Sequence, residues 1–148
     1  MSDHAQHGKE FYNATWELID LPGRRPDQDR LMLATALASR RHWEEAGGML
    51  ERVVGDWQVA HVASLTGHAS LALDFAQAAV ARAESGGLPA WVVASAYEGL
   101  ARAHATAGDG TARDEAAARC RVLLEAVEDD EDRRLVARQL AAVPGLGD

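Results

Sequence analysis

Lysine and cysteine are almost missing from this sequence of 148 residues, which contains one lysine, Lys9, and one cysteine, Cys120. A lone cysteine cannot close a disulfide within the chain, and this pattern is typical of a reducing compartment. The amino-terminal segment has no basic stretch followed by an apolar one, so we predict no signal peptide. No apolar run reaches the roughly 18 residues that a membrane-spanning helix requires. These absences together predict a cytoplasmic protein.

Positive charge is also scarce: the chain has 15 Lys and Arg residues against 23 Asp and Glu residues. Its formal net charge at pH 7 is therefore −8, and its isoelectric point is about 5.2. Proteins that bind nucleic acid usually present a basic face, and anionic membranes attract basic segments. The acidic balance therefore argues against both kinds of partner. Hydrophobic residues make up 47% of the chain and charged residues 26%, as in globular proteins. Arginine in place of lysine, with abundant alanine and glycine, is typical of a high-GC bacterial gene.

The sequence also lacks any long segment in which apolar and polar residues alternate, so we predict no strand. Glycine and proline turn signals instead divide the chain into segments rich in Ala, Leu, Arg and Glu, which are strong helix formers. We predict an all-α domain with about seven helices arranged in antiparallel hairpins. The predicted parts are a disordered tail over 1–8, a divergent first hairpin over 9–47, hairpins over 49–84 and 89–127, and a capping helix over 129–143.

Capping signals place the starts of several of these helices. Asp27 follows Pro26 as a candidate N-cap, and Pro89 suits the first turn of the fifth helix. The sixth helix is predicted to begin after Thr111. The seventh is predicted to open at Asp129 and to bury Leu135, Val136 and Leu140.

Two stretches of the sequence are similar to each other, one from Trp57 to His68 and the other from Glu98 to Asp109. Ala60 aligns with Ala101 and Gly67 aligns with Gly108. We expect Gly67 to end its helix in a left-handed conformation, and we expect a longer turn over Gly108–Thr111. A small residue followed by a helix-ending glycine resembles the tetratricopeptide repeat (TPR), a helix–turn–helix unit. The resemblance covers residues 49–127 and implies a short TPR-like right-handed superhelix.

The chain also resembles a group of bacterial TPR-like proteins to which no chemistry is assigned. The resemblance rests on the sequences Ser39-Arg40-Arg41-His42-Trp43 and Trp57-Gln58. It supports the fold and implies nothing about the function.

The TPR resemblance implies that the first helix of each hairpin lines a concave face. The residues that it places there lie at helical spacing on the third and fifth helices: Trp57, His61, Ser64, Ser95, Glu98 and Arg102. An aromatic ring, an imidazole and a guanidinium would suit a peptide carboxylate or a small acidic ligand. Two alternatives remain open, that Trp57 belongs to the core and that Glu98 and Arg102 form an ordinary surface pair.

Motifs for catalysis and metal binding are missing. The six histidines show no His-x-x-x-His spacing within a helix, although a site built from His42, Glu45 and His61 is conceivable. Cys120 replaces an aromatic position of the repeat, so we expect it to be buried and inert. The glycine pairs lack the strand-to-helix context of a phosphate loop. We predict no catalytic residue, no metal and no cofactor.

These observations favour an adaptor or scaffold that binds a protein or peptide partner in a concave groove, or that pairs with a second copy of itself as a homodimer. The alternative is a small-molecule-binding protein or enzyme that uses a pocket around Trp57, His61, Glu98 and Arg102. A third reading is a structural protein whose groove residues pair with each other. A deep pocket with converging polar groups would favour the second reading, and an open, shallow groove would favour the first.

Overall fold

The computed structural model describes residues 3–146, and within them the chain forms helices and no strand, as predicted. None of these helices is long and apolar enough to cross a membrane. The helices are α1 (His4–Ile19), α2 (Pro26–Ala46), α3 (Met49–Leu65), α4 (Ala69–Ala83), α5 (Ala90–Thr106), α6 (Gly110–Leu124) and α7 (Asp130–Ala141).

Helices that follow each other in sequence are the main packing partners. The strongest contacts join α1 to α2, α3 to α4 and α5 to α6, and α3 also packs directly on α5. Helix α7 packs mainly on α5. Small side chains allow this close packing, because the core shared by α3, α4 and α5 is built around buried alanines such as Ala60, Ala72, Ala76 and Ala103. The all-α class is confirmed, and the TPR-like superhelix stays a prediction.

The two glycines predicted to end helices do so in the same way. Gly67 has a φ of +77° and Gly108 a φ of +79°, in the left-handed region that side chains disfavour. After each glycine the next backbone N–H donates to a carbonyl five residues back, from His68 to Ala63 and from Asp109 to His104. This is the Schellman arrangement, which satisfies carbonyls at a helix end. The conformation expected for Gly67 is confirmed, whereas the longer turn expected at Gly108 is wrong, because three residues separate the two helices at both turns.

The predicted disordered tail over residues 1–8 is wrong for its described part, because α1 begins at His4. Tertiary contacts explain the extra turn. The Trp43 indole lies against Gly8 so closely that an added Cβ would be 2.3 Å from its Cδ1. Ser39 also donates a hydrogen bond from Oγ to the Gly8 carbonyl at 2.8 Å. Residues 1 and 2 of the predicted tail lie outside the described residues.

Other helix starts differ from the prediction by one or two residues. Helix α2 begins at Pro26 itself, which suits a first helical position because proline has no N–H to leave unpaired there. Pro89 is the residue before α5 rather than its first residue. Helix α6 begins at Gly110, before Thr111, because the Asp109 carboxylate accepts the Ala112 N–H at 3.0 Å and caps the helix.

Of the three α7 residues that are predicted to be buried, two are buried in the structure. Val136 and Leu140 are buried, whereas Leu135 is 46% exposed and its predicted burial is wrong. Helix α7 buries Val136 and Leu140 in the core that it shares with α5 and α6. Leu135 faces a cavity instead.

Candidate functional site

A cavity of about 790 Å³ lies along one side of the molecule. Its wall is built from α1, α3, α5 and α7, together with Arg24 in the turn after α1 and Ala142 directly after α7. Helices α2, α4 and α6 contribute no lining residue. Pockets for small organic ligands usually have volumes of about 300–1,000 Å³. The cavity therefore lies on the odd-numbered helices, which include α3 and α5, the two helices on which the TPR resemblance places the predicted groove residues.

Four of the six predicted site residues line this cavity. Trp57 and His61 come from α3, and Ser95 and Arg102 come from α5. Ser64 does not line the cavity, and Leu65 takes that place one residue later on α3. The Oγ of Ser64 is buried without a hydrogen-bond partner among the described residues.

Glu98, the sixth predicted residue, lies beneath the cavity wall and is 0% exposed. Its Oε1 accepts the indole N–H of Trp57 at 2.8 Å, and its Oε2 accepts the Nε–H of Arg102 at 3.1 Å. Arg102 also donates from Nη2 to the backbone carbonyl of Gln139 at 2.9 Å. One carboxylate thus joins α3 and α5, and its arginine partner extends the connection to α7.

The pairing of Glu98 with Arg102 is confirmed, but the alternative of an ordinary surface pair is wrong. Arg102 is 6% exposed and Glu98 is fully buried. Burial raises the pKa of Glu98, and the charge of Arg102 together with the hydrogen bond from Trp57 opposes that rise. Removing one partner of a buried ion pair usually costs about 3–5 kcal/mol, since the other charge remains buried and unpaired. Arg102 therefore supports the structure as well as the cavity wall.

His61 is a buried, uncharged imidazole in the cavity wall. Its ring stacks on Trp57 with centroids 4.9 Å apart and lies 6.0 Å from the ring of Trp16. Burial, with the nearby charges of Arg102 and Arg24, lowers the pKa of His61 to about 3. Its Nδ1 is buried with no hydrogen-bond partner among the described residues. A buried polar atom without a partner is uncommon in proteins and is often completed by a water or a ligand.

Three further aromatic residues line the cavity and were not predicted to do so from the sequence. Tyr12 and Trp16 come from α1, and Trp91 comes from α5. The ring centroids of Trp16 and Trp57 are 5.8 Å apart in a stacked arrangement. Helical spacing was the available signal, since Tyr12 lies four residues before Trp16, and Trp91 lies four before Ser95.

Charged residues at the cavity are mostly positive. The lining contains Arg24, Arg102 and Arg138 but only one acid, Asp132. Arg24 is committed to the turn after α1, because its Nε donates to Asp29 at 2.7 Å and its Nη1 donates to the Ile19 carbonyl at 2.9 Å. The exposed side chain of Arg138 forms no hydrogen bond or ion pair within residues 3–146.

Residues that would suggest other chemistry lie away from this cavity. Cys120 is buried, and burial raises the pKa of its thiol to about 12, so it is a poor nucleophile. His42 contacts His4, His7 and Phe11 and is not in the cavity wall with His61. In the part of the chain that the structure describes, no group of three or more metal-ligating side chains could hold a metal ion.

A second buried ion-pair cluster lies at the junction of α2, α3 and α4. Asp56 is 2% exposed and accepts hydrogen bonds from Arg40 Nε at 2.5 Å and from Arg82 Nε at 3.0 Å. Burial raises the pKa of Asp56, and the two arginines oppose the rise. The Asp56 carboxylate and the guanidinium groups of Arg40 and Arg82 pair with one another, so we assign this cluster a structural role.

Comparison with known proteins gives no matching family model, and neither the curated proteins nor the solved structures contain a significant match. The geometry of the cavity is therefore the basis on which a function is proposed.

Proposed function

We propose that this protein is a binding module without catalytic activity, an adaptor or scaffold that takes up a peptide or a segment of a partner protein in the cavity on its odd-numbered helices. The observation that carries the proposal is the aromatic and apolar wall of that cavity. Trp16, Trp57 and Trp91 contribute to it, and Leu65 and Leu135 are 40% and 46% exposed there. Large exposed apolar side chains that line a concavity usually mark a place where a partner binds.

The polar groups of the cavity support binding rather than catalysis. A general base must accept a proton near the operating pH, and the pKa of His61, at about 3, is far below that range. Glu98 lies under the wall and is occupied by Trp57 and Arg102. Tryptophan and arginine are the residue types most enriched at the centres of protein interfaces.

Selection from a phage-displayed library of random peptides tests the proposal, with two matched variants. Leu135→Asp places a charge in the cavity wall, and Leu31→Asp makes the same change at a leucine that is 53% exposed and does not line the cavity. We expect selected peptides to bind the wild type and Leu31→Asp equally. Their affinity for Leu135→Asp should fall by about tenfold or more, since a carboxylate would have to be desolvated.

Circular dichroism of both variants first checks that they are folded. Selected peptides that bind Leu135→Asp as tightly as the wild type would place binding outside the cavity and contradict the proposal. Failure to enrich any peptide would contradict a peptide partner and would leave binding of a small molecule as the remaining candidate function.

The second candidate function is binding of a small molecule, and the volume of the cavity favours it. About 790 Å³ is within the usual range for ligand pockets. A thermal-shift screen of metabolites against the wild type, Leu31→Asp and Leu135→Asp separates the candidates. A compound that stabilises the first two proteins but not the third would support this function.

We also propose a cytoplasmic location and keep the homodimer as a possible assembly. Light scattering coupled to size-exclusion chromatography measures the assembly state directly. A mass of one chain, 15.9 kDa, across the concentration range would contradict the homodimer.

A further inference from the structure

The charges that line the cavity balance one another. Arg24 and Arg102 each form an ion pair with a carboxylate of the chain, at 2.7 Å and 3.1 Å. The other two charged lining residues, Arg138 and Asp132, have opposite charges and lie on the same helix, α7. The lining therefore has no net charge to offer an ion. A charged group that entered the cavity would lose hydration without a compensating charge, so an uncharged partner is favoured.

The polar side chains that are still available in the cavity are uncharged as well. His61, Ser95 and Gln139 line it, and their side chains form no hydrogen bond within residues 3–146. The His61 ring is only 8% exposed, and a pKa of about 3 keeps it neutral near pH 7. A neutral imidazole has one donor and one acceptor nitrogen, and buried polar groups usually have a partner. The N–H and C=O groups of a peptide backbone are uncharged donors and acceptors of the matching kind.

Aromatic rings from three helices surround the same space. Trp16 and Trp57 stack with centroids 5.8 Å apart, and Trp91 and Tyr12 also line the cavity. Trp16, Trp91 and Tyr12 are only partly buried by the chain itself. Aromatic rings gain offset-stacked or edge-to-face contacts with each other, so an incoming aromatic side chain would gain more here than an aliphatic one. The Trp57 indole is held by Glu98 at 2.8 Å, and a wall fixed before binding loses little conformational freedom.

We infer that the partner of this cavity is an uncharged peptide segment that inserts one aromatic side chain among Trp16, Trp57 and Trp91 and hydrogen-bonds through its backbone to His61 and Ser95. This inference rests on the proposed function and names the class of its partner. The ring supplies the buried apolar area, and the backbone supplies partners for polar side chains that the chain leaves unpaired. Charged residues beside the aromatic one are disfavoured, whichever their sign.

Four short peptides with acetylated and amidated ends test the charge and the ring separately. Their centres are Ser-Gly-Trp-Gly-Ser, Ser-Gly-Ala-Gly-Ser, Glu-Glu-Trp-Glu-Glu and Lys-Lys-Trp-Lys-Lys, and isothermal titration calorimetry measures each without a label. Salt at about 1 M screens the net charge of −8 on the whole chain, so that desolvation in the cavity decides the order. We expect the uncharged tryptophan peptide to bind tightest. Loss of its ring, or charges of either sign, should each lower the affinity by about tenfold.

N-acetyltryptophanamide is the probe for a free aromatic molecule, since it has the ring and two amides but no neighbouring residues. We expect it to bind at least about tenfold more weakly than the uncharged tryptophan peptide, because it makes fewer contacts with the wall. Equal affinities would identify the occupant as a small aromatic molecule and would contradict a peptide segment.

Two variants test the hydrogen bonds. Ser95→Ala removes a hydroxyl that has no partner in the chain, and His61→Phe removes both ring nitrogens but keeps a ring to stack on Trp57. Each should weaken the uncharged tryptophan peptide by about fivefold, the effect of one hydrogen bond. Ser70→Ala and His68→Phe are the controls at exposed positions outside the cavity, and we expect them to leave the affinity within about twofold. Circular dichroism checks that all four are folded, and Ser95→Ala alone decides if His61→Phe is not.

Other results would overturn the inference. Equal binding of the uncharged and charged tryptophan peptides would show that the cavity does not select against charge. Equal binding of the tryptophan and alanine peptides would contradict an aromatic anchor, and full affinity of Ser95→Ala and His61→Phe would contradict the hydrogen bonds. Failure of all four peptides to bind, while library-selected peptides still distinguish Leu135→Asp from Leu31→Asp, would leave the proposed function standing and show that the partner class is wrong.

Discussion

Protonation of His61 should destabilise the folded protein as the pH falls. The pKa of this imidazole is lowered from its ordinary 6.5 to about 3, chiefly because the ring is buried. A base whose pKa is lower in the folded state contributes stability that is fully present above its unfolded pKa and is lost on acidification. The loss is about 1.4 kcal/mol of unfolding free energy per pH unit between the two values. From pH 7 to pH 5 the expected loss is about 2 kcal/mol.

The variant His61→Gln isolates this contribution, since glutamine keeps a polar side chain but does not titrate. Urea unfolding followed by circular dichroism gives the free energy of unfolding of wild type and variant at pH 7, 6 and 5. Burial raises the pKa of Glu98 and Asp56, so these groups change the stability in the opposite direction in both proteins. The difference between the two proteins removes that shared part.

We expect wild type to lose about 2 kcal/mol more than His61→Gln between pH 7 and pH 5. His68→Gln is the control for removing a histidine, since His68 is exposed and lies outside the cavity. Its stability should follow that of the wild type over the same range. Parallel curves for wild type and His61→Gln, with a difference that stays within about 0.5 kcal/mol, would refute the burial of an uncharged imidazole at this position.

Three further predictions concern the positions that hold the fold together. Gly67→Val should lower the melting temperature measured by circular dichroism, because a β-branched residue at a φ of +77° costs at least about 1–2 kcal/mol, and an unchanged temperature would contradict the assigned turn. Arg102→Ala should reduce the free energy of unfolding, measured by urea titration, by about 3 kcal/mol, because it leaves Glu98 buried without its ion-pair partner. A change below about 1 kcal/mol would show that the ion pair contributes little to stability. Cys120 should react with a thiol reagent only after denaturant is added, because it is buried with a pKa of about 12, and rapid labelling of the native protein would refute its burial.

The helices and their ends could be predicted from the sequence because the signals are local. Gly67 and Gly108 mark their turns by themselves, and the intervening segments contain strong helix formers. The amino-terminal part of α1 could not be predicted in this way. Its first turns carry a glycine, and they are held by contacts of Gly8 with Trp43 and Ser39, which are more than thirty residues away in sequence.

The candidate site was predicted in part: its residues could be placed on helix faces from local spacing, but their contacts across helices could not be predicted. The repeat placed Trp57, His61, Ser95 and Arg102 on one face of two helices, and all four line the cavity. The repeat also aligned Trp57 with Glu98, but it could not reveal that the two side chains bond to each other.

The contribution of α7 to the cavity could not be predicted either. Leu135 was expected to be buried because it is a leucine in an amphipathic helix. Its exposure depends on how α7 packs against α5, which brings Val136 into the core and turns Leu135 toward the cavity.

The central claim is that partners bind in the cavity on the odd-numbered helices, and the four tryptophans offer a direct measurement of it. The indole N–H groups give four signals in a proton–nitrogen NMR spectrum, which tryptophan-to-phenylalanine variants would assign. Trp16, Trp57 and Trp91 line the cavity, whereas Trp43 packs against Gly8 on α1 and does not. On titration with a library-selected peptide, we expect the three cavity signals to shift and the Trp43 signal to stay in place. A shift of the Trp43 signal alone, or peptide binding that leaves the three cavity signals unmoved, would contradict the central claim.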